Sequence, residues 1–422
     1  MNNSRLMPRP VLWLVVSILC ATSMGFYVTA IWSANQPPHF SDLYARWWGA
    51  HELLLHGRNP YSPEVSHEIQ SVIYGAVNTA SPDDPAGIGG GFAYPPYTVL
   101  WLWPLIYLPF AAAQKVFIGA AVLLLLLSLA LWMRALHWRR TPLEGITIAL
   151  FLLGSFPAMQ ALVLQNPSVV AAGFIAIAIF LLSAEHLVLA GVFLAASTFK
   201  PQFCVALVPW LAIWVVADWR RRASLAWSFL GTTLLLFLAS EWLVPGWIPT
   251  FLNIVRAYRH YAYGYSLLDV WFTPTVGPVL GAVALFAVLA LCWRYRSEPA
   301  NSPTFLLAVS LVLAVNVVVM PTLAPHAQLL LLPALLCLLG SDRFGDAGLI
   351  GRRFRLAAWG LVAWPWVASF ALLVASVRFP VDKLIRFWQV PLYTSPLLPL
   401  AVSLALGWLL GAQPRSKRSP AI

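Results

Sequence analysis

The chain has 422 residues with 26 Lys and Arg against 15 Asp and Glu, a formal charge of +11, yet only 10% of it is charged and 60% is hydrophobic. An ordinary soluble domain carries about 25% charged residues, so this composition, with its mean hydropathy of +0.77, excludes a soluble enzyme, a disordered regulator and a nucleic-acid reader. The basic excess suits a polytopic membrane protein, where Lys and Arg fix orientation and the 21 Trp and 13 Tyr settle at the two interfaces.

Apolar runs lie near 11–32, 97–112, 116–135, 144–164, 167–184, 187–199, 203–217, 225–244, 275–293, 304–320, 326–340, 357–377 and 391–411. A membrane-spanning helix needs about 20 such residues. The first run continues to Trp32 without a small-x-small cleavage site and reads as an uncleaved signal anchor. Basic residues decide which runs cross. With Arg5 and Arg9 cytoplasmic and 97–135 making one crossing, 17 of the 26 Lys and Arg residues fall inside and 9 outside. If 97–112 and 116–135 both cross, the numbers invert. The positive-inside rule prefers the first arrangement. Pro104 and Pro109 also favour a broken or half-inserted segment there. The expected architecture is all-α and polytopic, with about twelve transmembrane helices and both termini cytoplasmic. It forms a single integral membrane domain over 1–422, with a catalytic module over 1–340, outer loops 33–96 and 245–274, and C-terminal helices over 341–422. Cys20, Cys204, Cys292 and Cys337 all lie in apolar runs, so neither a disulfide nor a metal site is expected.

The first outer loop holds six of the fifteen acids: Asp42, Glu52, Glu64, Glu68, Asp83 and Asp84. Residues 41–56 read as an amphipathic helix with Ser41 as N-cap and Gly57 as its left-handed stop. Leu43, Trp47, Ala50 and Leu54 share the face that would rest on the membrane. Asp42 has two readings. It is a first-turn acid that favours the helix dipole and pairs with Arg46 four residues on, or it is a catalytic carboxylate. The turn Gly57-Arg58-Asn59-Pro60-Tyr61 follows, then the stretch Ser81–Gly91, which lacks the strand, helix and Lys-Ser/Thr of a phosphate loop. Tyr94-Pro95-Pro96 leads back into the membrane. His51, His56 and His67 share this loop with acids, but no HxxxH or HxH spacing points to a metal.

Further along stand Gln165-Asn166, Lys200-Pro201-Gln202 after a helix rich in small residues, the cluster Arg220–Arg222, and Pro325-His326 before a leucine-rich helix. An acid in a short helix after the first span, then Gly-x-Asn-Pro-Tyr and Tyr-Pro-Pro, then these motifs in this order, resembles glycosyltransferase family 87. The resemblance runs from about residue 40 to residue 340. Leu164 stands where that family's Gly-Gln-x-Asn has its glycine, and the spacing is one residue short. The resemblance implies a GT-C-like membrane enzyme that uses a polyprenyl-phosphate sugar, akin to the polyprenyl-phosphomannose-dependent α-mannosyltransferases of the cell envelope. It implies a glycolipid or glycan acceptor, with no cofactor and no nucleic-acid partner.

The chemistry needs few groups, because a polyprenyl-phosphate sugar brings its own leaving group. A carboxylate takes the acceptor proton as the hydroxyl attacks the anomeric carbon from the opposite face, and cations stabilise the departing phosphate. The resemblance gives the first role to Asp42. Lys200, Arg256, Arg259 and His326 are the candidates for the phosphate, and Tyr94, Gln165, Asn166 and Gln202 for the rest of the substrate. Runs 187–199 and 203–217 are too short for a ~30 Å core at about 1.5 Å per residue, which puts Lys200 in a recess. Each role has a plainer competitor. Lys200 could snorkel out of a hairpin, the aromatic residues of 245–274 could be interface anchors, and His326 could be a polar helix-start residue. Glu241 and Asp269 are rival carboxylates. A lipid or lipid-linked-sugar flippase is the main rival function, although no internal repeat is visible and the acids collect outside rather than at mid-depth. A polysaccharide polymerase or ligase would be expected to carry its main outer loop late in the chain.

Overall fold

The computed structural model of the protein describes residues 41–77, 86–138, 141–261, 264–321, 323–339 and 396–413, together with Asp84 and isolated positions within 11–18 and 353–383. Most of the first apolar run, nine of the 21 positions of 357–377, Cys20 and the terminal basic residues used to assign orientation lie outside the described residues. Among the described residues the elements are helices. In chain order they begin with α1 (Asp42–His56) and α2 (Pro63–Tyr74) in the first loop. Gly57 and Gly75 end these two with φ of 65° and 69°, a left-handed turn that glycine adopts without cost. Ser62 caps α2 by accepting from the Val65 amide at 3.3 Å, with Pro63 in the first turn where its missing N–H is no loss.

The run 97–112 is not one helix. A 3-10 turn (Pro96–Thr98) leads into α3 (Val99–Leu102), and regular helix resumes only after Pro109, in α4 (Phe110–Ala135). At 26 residues α4 is long enough to cross alone. The run 144–164 is broken into α5 (Pro142–Leu153) and α6 (Phe156–Val163), bent by 56°. The break has a local cause: Ser155 caps α6 through the Ala158 amide, and Pro157 stands in the first turn. Then come α7 (Ser168–Ser183), α8 (Leu187–Ser197), a 3-10 turn (Pro201–Phe203), α9 (Leu207–Ala217), α10 (Trp219–Leu243), α11 (Trp247–Tyr261), α12 (Leu267–Trp271), α13 (Val276–Trp293), α14 (Pro303–Val319), a 3-10 stretch (Pro325–Leu331), α15 (Leu332–Leu339) and α16 (Leu397–Gly411). Among the described residues α4, α10 and α13 are long and apolar enough to span, α5 and α6 pass together as a bent pair, and the shorter apolar helices α7, α8, α9, α14 and α16, with Pro325–Leu338 taken as one stretch, have 10–17 residues. Twelve crossings therefore rest on the charge distribution rather than on helix length.

The chain forms two compact units. The first comprises Met1–Leu129, Trp138–Val170 and Ser240–Tyr261, and the second Ala130–His137, Ala171–Ala239 and Ala262–Ile422. In the first unit α1 packs against α2 and α3. Its burial goes beyond the single stripe that its sequence presents. Leu43, Tyr44, Ala45, Arg46, Trp47, Gly49, Ala50, Glu52 and Leu53 are all buried, so the helix is embedded in protein rather than resting one face on lipid. Gly49 is required at that point, because a Cβ would collide with the ring of Phe92. The Trp47 indole donates to the Leu105 carbonyl at 3.0 Å, and Tyr44 meets Phe110 edge-on at 4.8 Å.

In the second unit α14 is the central helix. Every residue from Phe305 to Val318 is buried, against α9, α13, α15 and α16. Its lower connection is clasped by Arg222, which donates to the carbonyls of Trp214 (2.6 Å), Arg296 (2.8 Å), Ser297 (3.3 Å) and Glu298 (3.1 Å). The guanidinium also lies 3.8 Å over the Trp214 ring. Helix C-termini leave carbonyls without intrahelical partners, and one buried cation satisfies several of them here.

Candidate active site

Asp42 is the first residue of α1 and half-buried. Its backbone N–H donates to the carbonyl of Leu164 at 2.8 Å, which docks the start of α1 on the end of α6. Its carboxylate Oδ2 accepts from Asn166 Nδ2 at 2.5 Å. The direction of that amide is fixed independently. Asn166 Oδ1 accepts the Ser168 backbone N–H at 2.8 Å and the Ser168 hydroxyl at 2.6 Å. A backbone N–H can only donate, so the oxygen must face Ser168 and the NH2 must face Asp42. Asn166 is thus the cap of α7 and the partner of the carboxylate at once. Oδ1 of Asp42 has no hydrogen-bond partner among the described residues.

Arg46 is buried, and its Nη1 donates to the backbone carbonyl of Asp42 at 2.6 Å. No ion pair joins it to the Asp42 carboxylate among the described residues. Its guanidinium instead lies 4.6 Å over the ring of Tyr94. Burial is the main influence on the Tyr94 phenol and, with Asp42 adding to it, outweighs Arg46, so its pKa stays above the ordinary value and the ring remains neutral. The Tyr94 carbonyl is held by the Tyr61 hydroxyl at 2.5 Å. That bond ties the Asn-Pro-Tyr turn to the Tyr-Pro-Pro segment.

Gln165 stands in the left-handed region with φ of 49°, a conformation that costs a non-glycine residue of order 1–3 kcal/mol. It turns the chain from α6 into α7. Its side chain is buried, receives a bond from Gln114 Nε2 at 3.1 Å and donates to the Val163 carbonyl. Both ends of its amide are engaged by protein. Arg256 is exposed on α11 and bonds Asn253 at 2.7 Å. The side chain of Arg259, on the same helix, lies outside the described residues.

The glycine-rich stretch is closed on itself. Asp84 accepts from the amides of Ile88 (3.0 Å) and Gly89 (2.7 Å), and Gln70 donates to the carbonyls of Gly87 and Gly89, each at 2.7 Å. A carboxylate of the loop itself occupies the amides that a phosphate would need. At the far end of α1, Arg58 bridges Glu52 at 2.8 Å and Glu68 at 2.6 Å. The Trp48 indole donates to Glu68 at 2.9 Å. Burial acts most strongly on the Glu68 carboxyl and pushes it up, but the hydrogen bonds from Arg58 and Trp48 outweigh it and hold the group below its ordinary value. Beside this bridge the ligand atoms of His51, Glu52 and His56 lie within 4.8 Å of one another, an arrangement the sequence spacing did not signal. Arg58 already neutralises the carboxylate of that trio. The rival acids are engaged in local structure. Asp269 is the capping-box residue of α12, accepting from Ser266 N at 2.7 Å, and Glu241 accepts from Gly246 N at 2.8 Å.

In the second unit the 3-10 turn that follows Lys200 and carries Gln202, and the 3-10 stretch that carries His326, both pack on α14, and the Gln202 carbonyl meets Asn316 in the last turn of that helix. Lys200 is 3% exposed, with Nζ 5.0 Å from the centre of the Phe203 ring. His326 is buried and Gln202 half-buried. Sequence reading missed Ser168, Gln114 and the Arg58 bridge. Of these, only Ser168 had a local signal, an Asn-Pro-Ser that reads as N-cap, N1 and N2.

The family model of glycosyltransferase family 87 matches residues 92–321 of the 422. The match takes in Tyr94, Gln165, Asn166, Lys200, Gln202, Arg256 and Arg259, while Asp42 and His326 fall outside it. No curated protein matches the sequence. The apolar helices agree with a membrane enzyme that moves a sugar from a donor to an acceptor, and with more than half its length matched the chain belongs to glycosyltransferase family 87.

Proposed function

We propose that this enzyme transfers a hexosyl residue, mannosyl in the first instance, from a polyprenyl-phosphate sugar to a hydroxyl of a glycolipid or glycan at the outer face of the plasma or inner membrane, with both termini cytoplasmic. The reaction is a single displacement. Asp42 Oδ1 takes the acceptor proton, the acceptor oxygen bonds to the anomeric carbon, and the carbon–oxygen bond to phosphate breaks with its electron pair passing to the lipid phosphate. A β-linked donor then gives an α-linked product. Lys200, Arg256, Arg259 and His326 stabilise the charge that builds on the phosphate, and Tyr94 and Gln202 contact the substrate.

The observation that carries this reading is the way Asp42 is held. Asn166 fixes one carboxylate oxygen at 2.5 Å and the other is left to accept a proton. An anion at the first turn of a helix is also favoured by the dipole. In this scheme Asn166 orients the base and Gln165 shapes the turn that presents it, since their amides are engaged within the protein. The test is donor choice. Membranes containing the enzyme should transfer label from polyprenyl-phosphate [14C]mannose, and a labelled nucleotide-mannose should serve only where a polyprenyl-phosphate mannose synthase is also present. Transfer from the nucleotide sugar by the purified enzyme, or no transfer from any polyprenyl-phosphate hexose, overturns the proposal.

A further inference from the structure

Helices α8 and α9 have 11 residues each, about 16 Å at 1.5 Å per residue, roughly half of a ~30 Å hydrocarbon core. The connection between them, which carries Lys200-Pro201-Gln202, therefore lies where backbone groups have little water to pair with. Two of these groups, the Gln202 carbonyl and the Ala206 N–H, are satisfied by one side chain. Asn316, in the last turn of α14 and 0% exposed, donates through Nδ2 to Gln202 O at 2.9 Å and accepts through Oδ1 from Ala206 N at 2.9 Å. The turn passes this constraint on to Lys200, whose carbonyl accepts from the Phe203 amide at 3.0 Å. Phe203 is itself fully buried and lies under the Lys200 ammonium.

We propose that Asn316 is a positioning residue that sets where the Lys200 ammonium stands, an inference that rests on the reading of Lys200 as a donor-phosphate ligand. The residue type follows from the geometry. The site needs one donor and one acceptor on a short, neutral, planar group. Aspartate has no donor and would set a carboxylate against the Gln202 carbonyl. Leucine, close in size, has neither group and would strand two buried backbone atoms. Asn316 touches no reacting atom. It acts only through the turn.

The experiment is a double-mutant cycle on purified enzyme in nanodiscs, with kcat and KM measured separately for donor and acceptor and the thermal midpoint recorded for each protein. Asn316→Leu should lower kcat/KM for the polyprenyl-phosphate donor about tenfold to a hundredfold, the scale of an ångström-sized misplacement, while the acceptor KM holds. Adding Asn316→Leu to Lys200→Ala should cost nothing further, because the group being positioned is already gone. Asn316→Ser, which can satisfy only one of the two backbone groups, should fall between and carries the test if Asn316→Leu does not accumulate. Losses that multiply in the double mutant, or unchanged donor kinetics in Asn316→Ser and Asn316→Leu beside a slow Lys200→Ala, overturn the inference and leave the role of Lys200 standing. Full turnover in Lys200→Ala overturns that role and the inference with it.

Discussion

Asp42→Asn removes a proton acceptor and leaves nearly everything around it in place. The amide oxygen can keep the bond from Asn166, with the NH2 group standing where Oδ1 was. The two backbone contacts, Asp42 N to Leu164 O at 2.8 Å and Arg46 Nη1 to Asp42 O at 2.6 Å, do not involve the side chain. No carboxylate–guanidinium pair is lost, because Arg46 bonds the carbonyl and stacks on Tyr94. The structural cost is the loss of one negative charge at a helix start, about 0.3–1 kcal/mol. Losing a general base costs roughly 10²- to 10⁴-fold in rate, or about 3–5 kcal/mol of barrier. The two scales are far enough apart to separate. The assay is the initial rate of label transfer from polyprenyl-phosphate mannose at saturating acceptor, normalised to enzyme, with donor binding measured in parallel. Donor binding and the thermal midpoint should stay near wild type while transfer falls at least about a hundredfold. Asn166→Asp should also be slow, since it sets a second carboxylate against Oδ2. If Asp42→Asn keeps more than about half of its transfer, outside any loss expected for a base, the assignment is refuted. Glu241 and Asp269 are then the next carboxylates to replace.

Lys200→Ala should lower transfer by roughly a hundredfold, as expected for a lost electrostatic donor, and Lys200→Arg should recover only part of it because a guanidinium is not a point charge; unchanged rates return Lys200 to a snorkelling role. Arg222→Ala should lower the thermal midpoint and the yield of folded enzyme, since charged hydrogen bonds to carbonyls are worth about 1.5–3 kcal/mol each, and an unaltered midpoint would show that the clasp is dispensable. The Glu68 carboxyl is held below its ordinary value of 4.5, so the folded state binds its proton less readily than the unfolded state and the contribution is present at neutral pH. That contribution is lost as pH falls below the ordinary carboxylate range and through the lowered folded value. The protection of amides in 52–74, taken relative to the intrinsic exchange rate at each pH, should therefore fall between about pH 5 and pH 3, and more so in wild type than in Glu68→Gln. For orientation, a reporter after Ile422 should read as cytoplasmic and an epitope inserted after Ala80 as external; the reverse pattern overturns the topology and the outer-face site with it.

Composition and local pattern determined much of this protein without any coordinates. A charged fraction of 10% fixed the membrane class. The helix 42–56 was legible in its periodicity, in Asp42 and in Gly57, because these signals act over a few residues, although Ser41 at the N-cap position makes no side-chain capping bond; the order of short motifs was enough to reach the family. The bend within 144–164 was written locally too, in Ser155 and Pro157, but an apolar run of spanning length hides a break unless the caps are weighed against the hydropathy. Tertiary structure alone decided the pairings. Asn166 meets Asp42 across 124 residues, Asn316 meets Gln202 and Ala206 across 114 and 110, and Arg222 meets Arg296 across 74. Sequence distance carries no signal for such contacts. They form because a buried amide or guanidinium must find a donor or acceptor wherever packing brings one, and packing is a property of the whole fold rather than of any short stretch of it.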